Sequence, residues 1–333
     1  MSNSITQKQR IESLYVLKAL CSFLVVVVHS ELWGKSALTP LMGIATPCFL
    51  AITGFLLYSD DRERELYKAA KWSKKTFGLS LACNALYLTF YLFDGAPLSR
   101  YSAGVLFLNL FTGHIISTHL WYLTAVWQGL LLFRLLIRYA PKFIAWAPLL
   151  YIIAYILRAY GKQLLPELDS DTLFIMRANA IVTALPFLTT GYLVHQYSAL
   201  ISSRFRRIPL ALICIIILAY VEYAMRNLTG AGSIFLLSTW PLVVALLLFC
   251  NHFSSFTLPL LGYVGRFHSA NVYYFHILIL IGCNRWFPEL RDAQAILVYT
   301  LTLPVSFLFN VIHKCLQLLT NRIKACQATQ SGV

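Results

Sequence analysis

The sequence predicts an all-α, polytopic integral membrane protein that crosses the bilayer about ten times. Of its 333 residues, 59% are hydrophobic and only 12% are charged, whereas charged residues make up about a quarter of an ordinary soluble domain. The apolar stretches run along the whole chain and leave no polar block large enough for a separate soluble domain. We therefore expect one membrane domain over residues 1–333, with short tails near 1–12 and 314–333. This composition excludes a secreted factor and, despite a net charge of +14, a nucleic-acid-binding domain.

Ten apolar runs approach the roughly 20 residues that a helix needs to cross the hydrocarbon core, and we expect them to pack as one bundle. An additional stretch, Gly104–Ser117, is apolar but only 14 residues long, so we expect it to lie at the interface or to re-enter. The ten runs lie near residues 13–33, 38–59, 76–93, 119–137, 143–160, 178–197, 208–225, 234–252, 269–287 and 294–313.

The distribution of charge predicts the orientation of these crossings. With a cytoplasmic N-terminus, the inner segments hold 18 Lys or Arg residues against 5 acidic residues, and the outer segments hold 8 against 8. This asymmetry is what the positive-inside rule requires, so both termini are expected in the cytoplasm and the net positive charge is explained by topology. The inner segments are 1–13, 60–75, 134–142, 198–207, 252–268 and 314–333.

Polar side chains within the apolar runs are the first candidates for function, because hydrocarbon makes them costly. Lys18 and His29 are eleven residues apart in the first run, which corresponds to three helical turns plus about 20°. The two side chains should therefore share one helix face, about 16 Å apart along the axis. Taken singly, Lys18 is explained as well by snorkelling to the cytoplasmic headgroups, and His29 by an interfacial hydrogen bond.

Six short motifs, in order along the chain, resemble those of the membrane-bound acyltransferase-3 family, which are integral-membrane O-acetyltransferases of surface polysaccharides. The first helix resembles the family's signature of an Arg, ten residues and a His, and the other motifs follow in the family's order over roughly residues 10–313. The matching segments are Leu14–His29, Phe49–Leu57, the basic run with Lys71, Lys74 and Lys75, His119–Leu123, Arg177–Asn179 with Pro186–Leu193, and Ser269–His276.

The chain departs from the family pattern at two positions of the first helix. Lys18 stands where the family has Arg, and Tyr15 stands where many members have Asp. Lys keeps the positive charge but lacks the planar, bidentate guanidinium. The absence of Asp removes one possible partner for the cation, so we expect either weaker activity or a different compensating contact.

The resemblance implies transfer of an acyl group, usually acetyl from cytoplasmic acetyl-CoA, to a hydroxyl of an extracytoplasmic or lipid-linked glycan such as O-antigen, capsule or exopolysaccharide. Acetyl-CoA would be a cosubstrate rather than a bound cofactor, and the enzyme would lie in a bacterial cytoplasmic membrane. His29 is the expected general base, since a neutral imidazole titrates near working pH. Lys18 is expected on the donor side. Lys71, Lys74 and Lys75 are candidates for the donor phosphates, or else simply set the topology.

Four further side chains gather near helix ends that we place on the extracytoplasmic side, and they are expected to bind the acceptor. Arg and Asn can donate to sugar hydroxyls or carboxylates, and Trp offers an apolar face to a sugar ring. These candidates are His119, Trp121, Arg177 and Asn179. The alternative explanation for Trp121 is an interfacial aromatic residue.

Glu222 and His276 complete the expected acceptor side. Glu222 is placed either to orient His29 or to pair with Arg226, and the sequence does not decide between these roles. His276 lies inside an apolar run, where it either serves the site or holds helices together through a hydrogen bond. The spacing of the remaining histidines does not predict a metal site.

Two other classes of protein stay open at this point. A transporter or flippase of a lipid-linked sugar would also need many helices and buried polar groups, although it would more often show related halves or broken helices in matching positions. A non-catalytic membrane scaffold would tolerate the loss of His29. Within the acyltransferases, a succinyl group is the alternative to acetyl.

Overall fold

The computed structural model describes residues 11–204, 207–228 and 234–330, and all regular structure in these residues is helical. The predicted all-α class is therefore confirmed. The α-helices are α1 Glu12–His29, α2 Lys35–Met42, α3 Ala45–Leu57, α4 Arg62–Phe93, α5 Ala103–Thr112, α6 Trp121–Tyr139, α7 Tyr151–Leu164, α8 Ser170–Arg177, α9 Leu185–Gln196, α10 Ser198–Arg204, α11 Ile208–Leu228, α12 Thr239–His252, α13 Pro259–Phe267, α14 Ser269–Trp286 and α15 Gln294–Gln330.

Six helical segments of the described chain are long and apolar enough to cross a membrane. A seventh candidate consists of Ser170–Arg177 and Ala180–Gln196, which meet at a bend of 42°. Several apolar helices together make this a multi-pass membrane protein. The six segments are Glu12–His29, Lys35–Leu57, Arg62–Phe93, Thr118–Tyr139, Ile208–Leu228 and Pro288–Asn321.

Three of the ten predicted crossings correspond neither to one of these six segments nor to the bent pair. Residues 143–160 are interrupted by two short 3₁₀ segments before α7 begins. The run 234–252 contains α12, which has only 14 residues. The helix α14 has 18 residues but carries Asn and His side chains among its apolar ones, which lower its hydropathy. The stretch at 104–117 forms the 10-residue helix α5, which is too short to cross.

The predicted inner loop at 60–75 is helical from Arg62 onward, because α4 begins there and continues for 32 residues. The Asp61 carboxylate accepts from the backbone N–H groups of Glu63 and Arg64, at 3.0 and 3.4 Å. Such a cap satisfies donors that have no partner inside the helix, and the two acidic residues of the first turn favour the same helix end.

The chain forms two compact units. The first contains residues 37–256 together with 11–14, and the second contains residues 15–36 together with 257–330. The second unit is therefore built from most of α1 and from the last three helices.

The first unit is organised around the crossing of α3 and α9. A Cβ atom added at Gly54 would fall on the carbonyl oxygen of Leu188, and one added at Gly191 would fall on the carbonyl oxygen of Ala51. Each helix thus has a glycine where the other helix's backbone approaches, as is typical of helix pairs that associate in lipid. The motifs around Gly54 and Gly191 are the two sides of this one contact.

The second unit is held together by polar contacts between buried parts of its helices. The Ser306 hydroxyl of α15 lies 2.7 Å from His268 Nδ1 and 3.0 Å from Asn271 Nδ2. Ser22 of α1 lies 3.1 Å from the Tyr299 hydroxyl of α15. These contacts join α1 and the start of α14 to the same long helix.

Candidate active site

His29 is the last residue of α1, and its side chain is exposed. Its ring lies beside the ring of His276 on α14, with 5.3 Å between centroids and 43° between the ring planes. An exposed imidazole at the end of a membrane helix can meet a substrate, and its chemistry suits the removal of a proton from a hydroxyl. The pairing of these two histidines is the central geometric feature of the second unit.

His276 is fully buried, with 0% of its surface exposed. Its Nδ1 lies 2.9 Å from the carbonyl oxygen of Tyr273 and 3.1 Å from that of Val272. Because a carbonyl oxygen can only accept, Nδ1 carries the proton, and in the neutral ring Nε2 carries the lone pair. The helix backbone thereby sets both the tautomer and the orientation of the ring beside His29.

The turn after His29 is fixed to the start of α15. The backbone N–H of Glu31 donates to Gln294 Oε1 at 2.9 Å, and the N–H of Ala295 donates to the carbonyl oxygen of Glu31 at 2.9 Å. Gln294 in turn donates to Asn284 of α14. The start of α15 and the end of α14 therefore hold the turn that follows His29.

Lys35 adds a positive charge close to this turn. Its ammonium donates to the carbonyl oxygen of Ser30 at 2.7 Å and lies 3.7 Å from the carboxylate of Glu31. Sequence reasoning counted Lys35 only as an outer charge. The only indication in the sequence that Lys35 lies near His29 is their separation of six residues. This separation brings the two residues together only because the chain turns after α1.

Lys18 lies on α1 at a different level from His29, as their spacing predicts. Its ammonium is 5.9 Å from the centroid of the Tyr15 ring, and the guanidinium carbon of Arg266 on α13 is 5.8 Å from the same centroid. Among the described residues, neither cation forms an ion pair. From the sequence, Arg266 was interpreted only as a charge that sets the topology. In the structure it lies beside the same tyrosine ring as Lys18.

Lys71, Lys74 and Lys75 lie on α4 of the first unit, and all three side chains are exposed. The spacings of three and four residues put Lys74 and Lys75 on the same helix surface as Lys71. The Lys71 ammonium is 5.7 Å from the centroid of the Tyr67 ring. These lysines therefore form one exposed cationic face that could contact phosphate groups.

In the first unit, His119 lies in a short 3₁₀ segment just before α6, and Trp121 is the first residue of α6. His119 is 3% exposed, its Nδ1 is 3.0 Å from the Ser117 hydroxyl, and its ring packs 4.8 Å from that of Tyr87. Trp121 is partly exposed and packs edge-on to Phe174, at 6.2 Å between centroids. Of these two candidates, Trp121 has the more accessible surface.

Asn179 occupies the bend between α8 and the following helical segment. Its Oδ1 accepts from the N–H groups of Ile181 and Val182, at 2.8 and 3.1 Å. Its Nδ2 donates to the carbonyl oxygens of Ile175 and Met176, both at 2.9 Å. One side chain therefore satisfies backbone groups on both sides of the break, which a helix within a membrane requires.

Arg177 precedes this bend, and its carbonyl oxygen accepts from Arg158 at 3.2 Å. The Arg158 guanidinium also stacks on Phe235, with 3.5 Å from its central carbon to the ring centroid. Sequence reasoning assigned no role to Arg158, because it fell in an outer-facing charge count. The structure places it directly behind the Arg177 segment.

The start of α8 is capped by Asp169. The Thr172 hydroxyl and backbone N–H donate to this carboxylate at 2.6 and 2.9 Å, and the Asp171 N–H donates at 2.9 Å. These hydrogen bonds, with that of the Thr172 hydroxyl first, lower the pKa of Asp169 below its usual value. The cap fixes the beginning of the helix that ends at Arg177.

Glu222 lies on α11 and binds backbone rather than another side chain. Its two carboxylate oxygens accept from the N–H groups of Leu237 and Ser238, at 2.6 and 2.8 Å. Arg226, one turn later, donates to the carbonyl oxygen of Phe235 at 2.7 Å. Both side chains line a largely apolar cavity of about 710 Å³ between α7 and α11.

The site residues fall into two groups by unit. Lys18, His29 and His276 belong to the second unit, and the other predicted donor and acceptor residues belong to the first. Within the described parts of the chain, no three His, Cys, Asp or Glu side chains come together in a way that could hold a metal ion.

Comparison with protein families identifies the family of the chain. The model of the acyltransferase-3 family, described as an acyltransferase domain, matches residues 11–313. No curated protein and no solved structure is found to be similar to the chain.

Proposed function

The chain belongs to the acyltransferase-3 family of membrane acyltransferases, and on that premise we propose that it transfers acetyl from acetyl-CoA to a hydroxyl of an extracytoplasmic glycan. The observation that carries this proposal is the exposed imidazole of His29 at the end of α1, beside the oriented ring of His276. The acceptor is a free or lipid-linked saccharide of the cell surface, such as O-antigen, capsule or exopolysaccharide. The enzyme works in a bacterial cytoplasmic membrane with both termini in the cytoplasm.

His29 acts as the general base in this proposal. It removes the proton from the sugar hydroxyl as the hydroxyl oxygen attacks the thioester carbonyl carbon of the donor. The new ester C–O bond forms, the thioester C–S bond breaks, and the proton passes to the departing CoA sulfur. A positioned base of this kind contributes about 10²–10⁴-fold to a rate.

The donor approaches from the cytoplasmic side of this proposed site. Lys18 offers a positive charge on α1, and Lys71, Lys74 and Lys75 offer an exposed cationic face on α4. Ammonium groups act on phosphates as point charges and need no fixed orientation. They would therefore raise the affinity for acetyl-CoA without taking part in the acyl transfer.

The acceptor side combines the remaining candidates. Trp121 offers a ring face to a sugar, and Arg177 offers a guanidinium to hydroxyls or carboxylates. Asn179 is used by the backbone on both sides of the bend, so we assign it to shaping the segment that presents Arg177. Glu222 binds backbone N–H groups and His119 is buried, so we assign both residues to shaping the acceptor side rather than to contacting the sugar.

Inverted membrane vesicles that contain the protein provide the test. Radiolabelled acetyl-CoA is added outside, with acceptor glycan in the lumen, and label in the glycan is measured. We expect label with the wild-type protein and none with His29→Ala at equal protein content. Radiolabelled succinyl-CoA run in parallel identifies the acyl group. A second measurement is the acetylation of the native surface glycan in a strain that lacks the gene. If that glycan loses its acetyl groups but the wild-type protein adds no label to it in the vesicles, direct transfer by this chain is contradicted.

A further inference from the structure

Two cations of the second unit face one aromatic ring. The Lys18 ammonium and the Arg266 guanidinium lie 5.9 and 5.8 Å from the centroid of the Tyr15 ring. Neither cation has a hydrogen-bond or ion-pair partner among the residues that the structure describes. Arg266 is exposed, and Lys18 and Tyr15 are partly exposed, so all three can be reached by a ligand.

The packing of α13 against α1 creates this arrangement. A Cβ atom added at Gly265 would fall on the carbonyl oxygen of Tyr15 and lie 3.0 Å from the backbone nitrogen of Ala19. The glycine therefore lets the two helices touch through their backbones at the level of Lys18. The next residue after this contact is Arg266, so its position beside Tyr15 follows directly from the close approach.

The aromatic ring holds the cations without neutralising them. A carboxylate at position 15, the residue common in the family, would form an ion pair with one cation and would repel an incoming phosphate. The tyrosine ring attracts both cations through its quadrupole and carries no charge, and the Arg266 guanidinium also lies 4.9 Å from the centroid of the Phe267 ring, which is likewise uncharged. The three side chains therefore leave about two positive charges for an anionic ligand.

We infer that Lys18, Tyr15 and Arg266, all in the second unit, form a binding site for phosphate groups of the acyl-CoA donor. This inference rests on the proposed function and adds Arg266 and Tyr15 to it. Coenzyme A carries a pyrophosphate and a separate phosphate on the ribose, so it can engage two cations at once. The guanidinium supplies the planar, bidentate contact that the substitution of Lys for Arg at position 18 removes from α1.

Steady-state kinetics with two donors test this site. Acetyl-pantetheine has the reactive thioester of acetyl-CoA but none of its nucleotide phosphates. We expect Arg266→Ala to raise the KM for acetyl-CoA about tenfold or more and to leave the KM for acetyl-pantetheine unchanged, because only the first donor reaches the cation. Arg266→Lys should recover part of the loss. Tyr15→Asp should also raise the KM for acetyl-CoA, by neutralising one cation.

The control is Arg207→Ala, which removes an exposed arginine of another predicted cytoplasmic segment and should leave both KM values unchanged. An equal rise in KM for both donors with Arg266→Ala would show a structural effect and overturn the inference.

Direct binding of coenzyme A to the purified protein separates this inference from the proposed function. Loss of coenzyme A affinity in Arg266→Ala supports the site even if no glycan is ever labelled. The same cations could instead bind lipid headgroup phosphates. Unchanged coenzyme A affinity, together with weaker binding of phosphatidylglycerol vesicles by the variant, would assign the site to lipid and refute the donor role.

Discussion

The reciprocal glycine contact between α3 and α9 predicts how two substitutions combine. In Gly54→Ala and in Gly191→Ala the new Cβ atom meets a backbone carbonyl of the opposite helix. A backbone atom cannot rotate away as a side chain does, so the helices must move apart. Overpacking of this kind costs about 1–3 kcal/mol, and the better helix propensity of Ala returns up to about 1 kcal/mol. We therefore expect each single variant to lose about 1–2 kcal/mol of unfolding free energy.

The double variant should lose much less than the sum of the single losses. Both methyl groups push the same two helices apart, so the separation that accommodates the first also makes room for the second. We expect a favourable coupling of about 1 kcal/mol or more between the two positions, which is well above the deviation of about 0.3–0.5 kcal/mol seen for independent sites. The unfolding free energies of the four proteins in detergent measure this coupling.

Gly78→Ala is the matched control. Gly78 lies on α4, and a Cβ atom there would meet nothing within 4 Å. The substitution should stabilise the protein by about 0.5–1 kcal/mol, because Gly is the poorer helix former. Strictly additive losses at Gly54 and Gly191, or single variants as stable as Gly78→Ala, would show that the two helices do not pack through these glycines.

Three further predictions concern the site and the bend. His29→Ala and His29→Gln should each lower acetyl transfer about 10²–10⁴-fold in protein that still accumulates in the membrane; if His276→Gln abolishes transfer while His29→Gln keeps at least half, the base is on α14. Lys18→Met should raise the apparent KM for acetyl-CoA more than that for the glycan, whereas unchanged donor kinetics in correctly inserted protein would support snorkelling. Asn179→Asp keeps the oxygen that accepts from two N–H groups but loses the amide group that donates to two carbonyl oxygens. It should therefore lower the free energy of unfolding by about 1–3 kcal/mol and with it the midpoint of thermal unfolding. An unchanged midpoint would show that water replaces the amide.

The helical membrane class could be predicted because it depends on composition, which the sequence contains directly. Six of the predicted crossings correspond to helices of spanning length because the count of apolar residues and the length of the helix coincide there. The count could not anticipate backbone breaks. At 143–160 the apolar residues continue through two 3₁₀ segments, and hydropathy alone does not register a change in backbone conformation.

The candidate site was accessible to sequence reasoning only where it lies on one helix. The shared face of Lys18 and His29 follows from helical periodicity, and their assignment to donor and base stays a prediction. The neighbours of these two residues come from helices near the other end of the chain, and the contacts with His276 and Arg266 depend on tertiary packing. Arg266 looked like a topological charge because charge counting assigns every exposed cation the same meaning.

The pairing of His29 with His276 also has a consequence for biosynthesis. The two residues are separated by about three quarters of the chain, and at about 5–20 residues per second a ribosome needs roughly 12–50 s to travel from one to the other. For most of that time α1 has been synthesised and α13, α14 and α15 have not, so the polar residues of α1 lack their final neighbours. A nascent chain therefore carries no assembled histidine pair, and we expect a product truncated before α14 to be inactive, although it already contains the residue that we expect to act as the base.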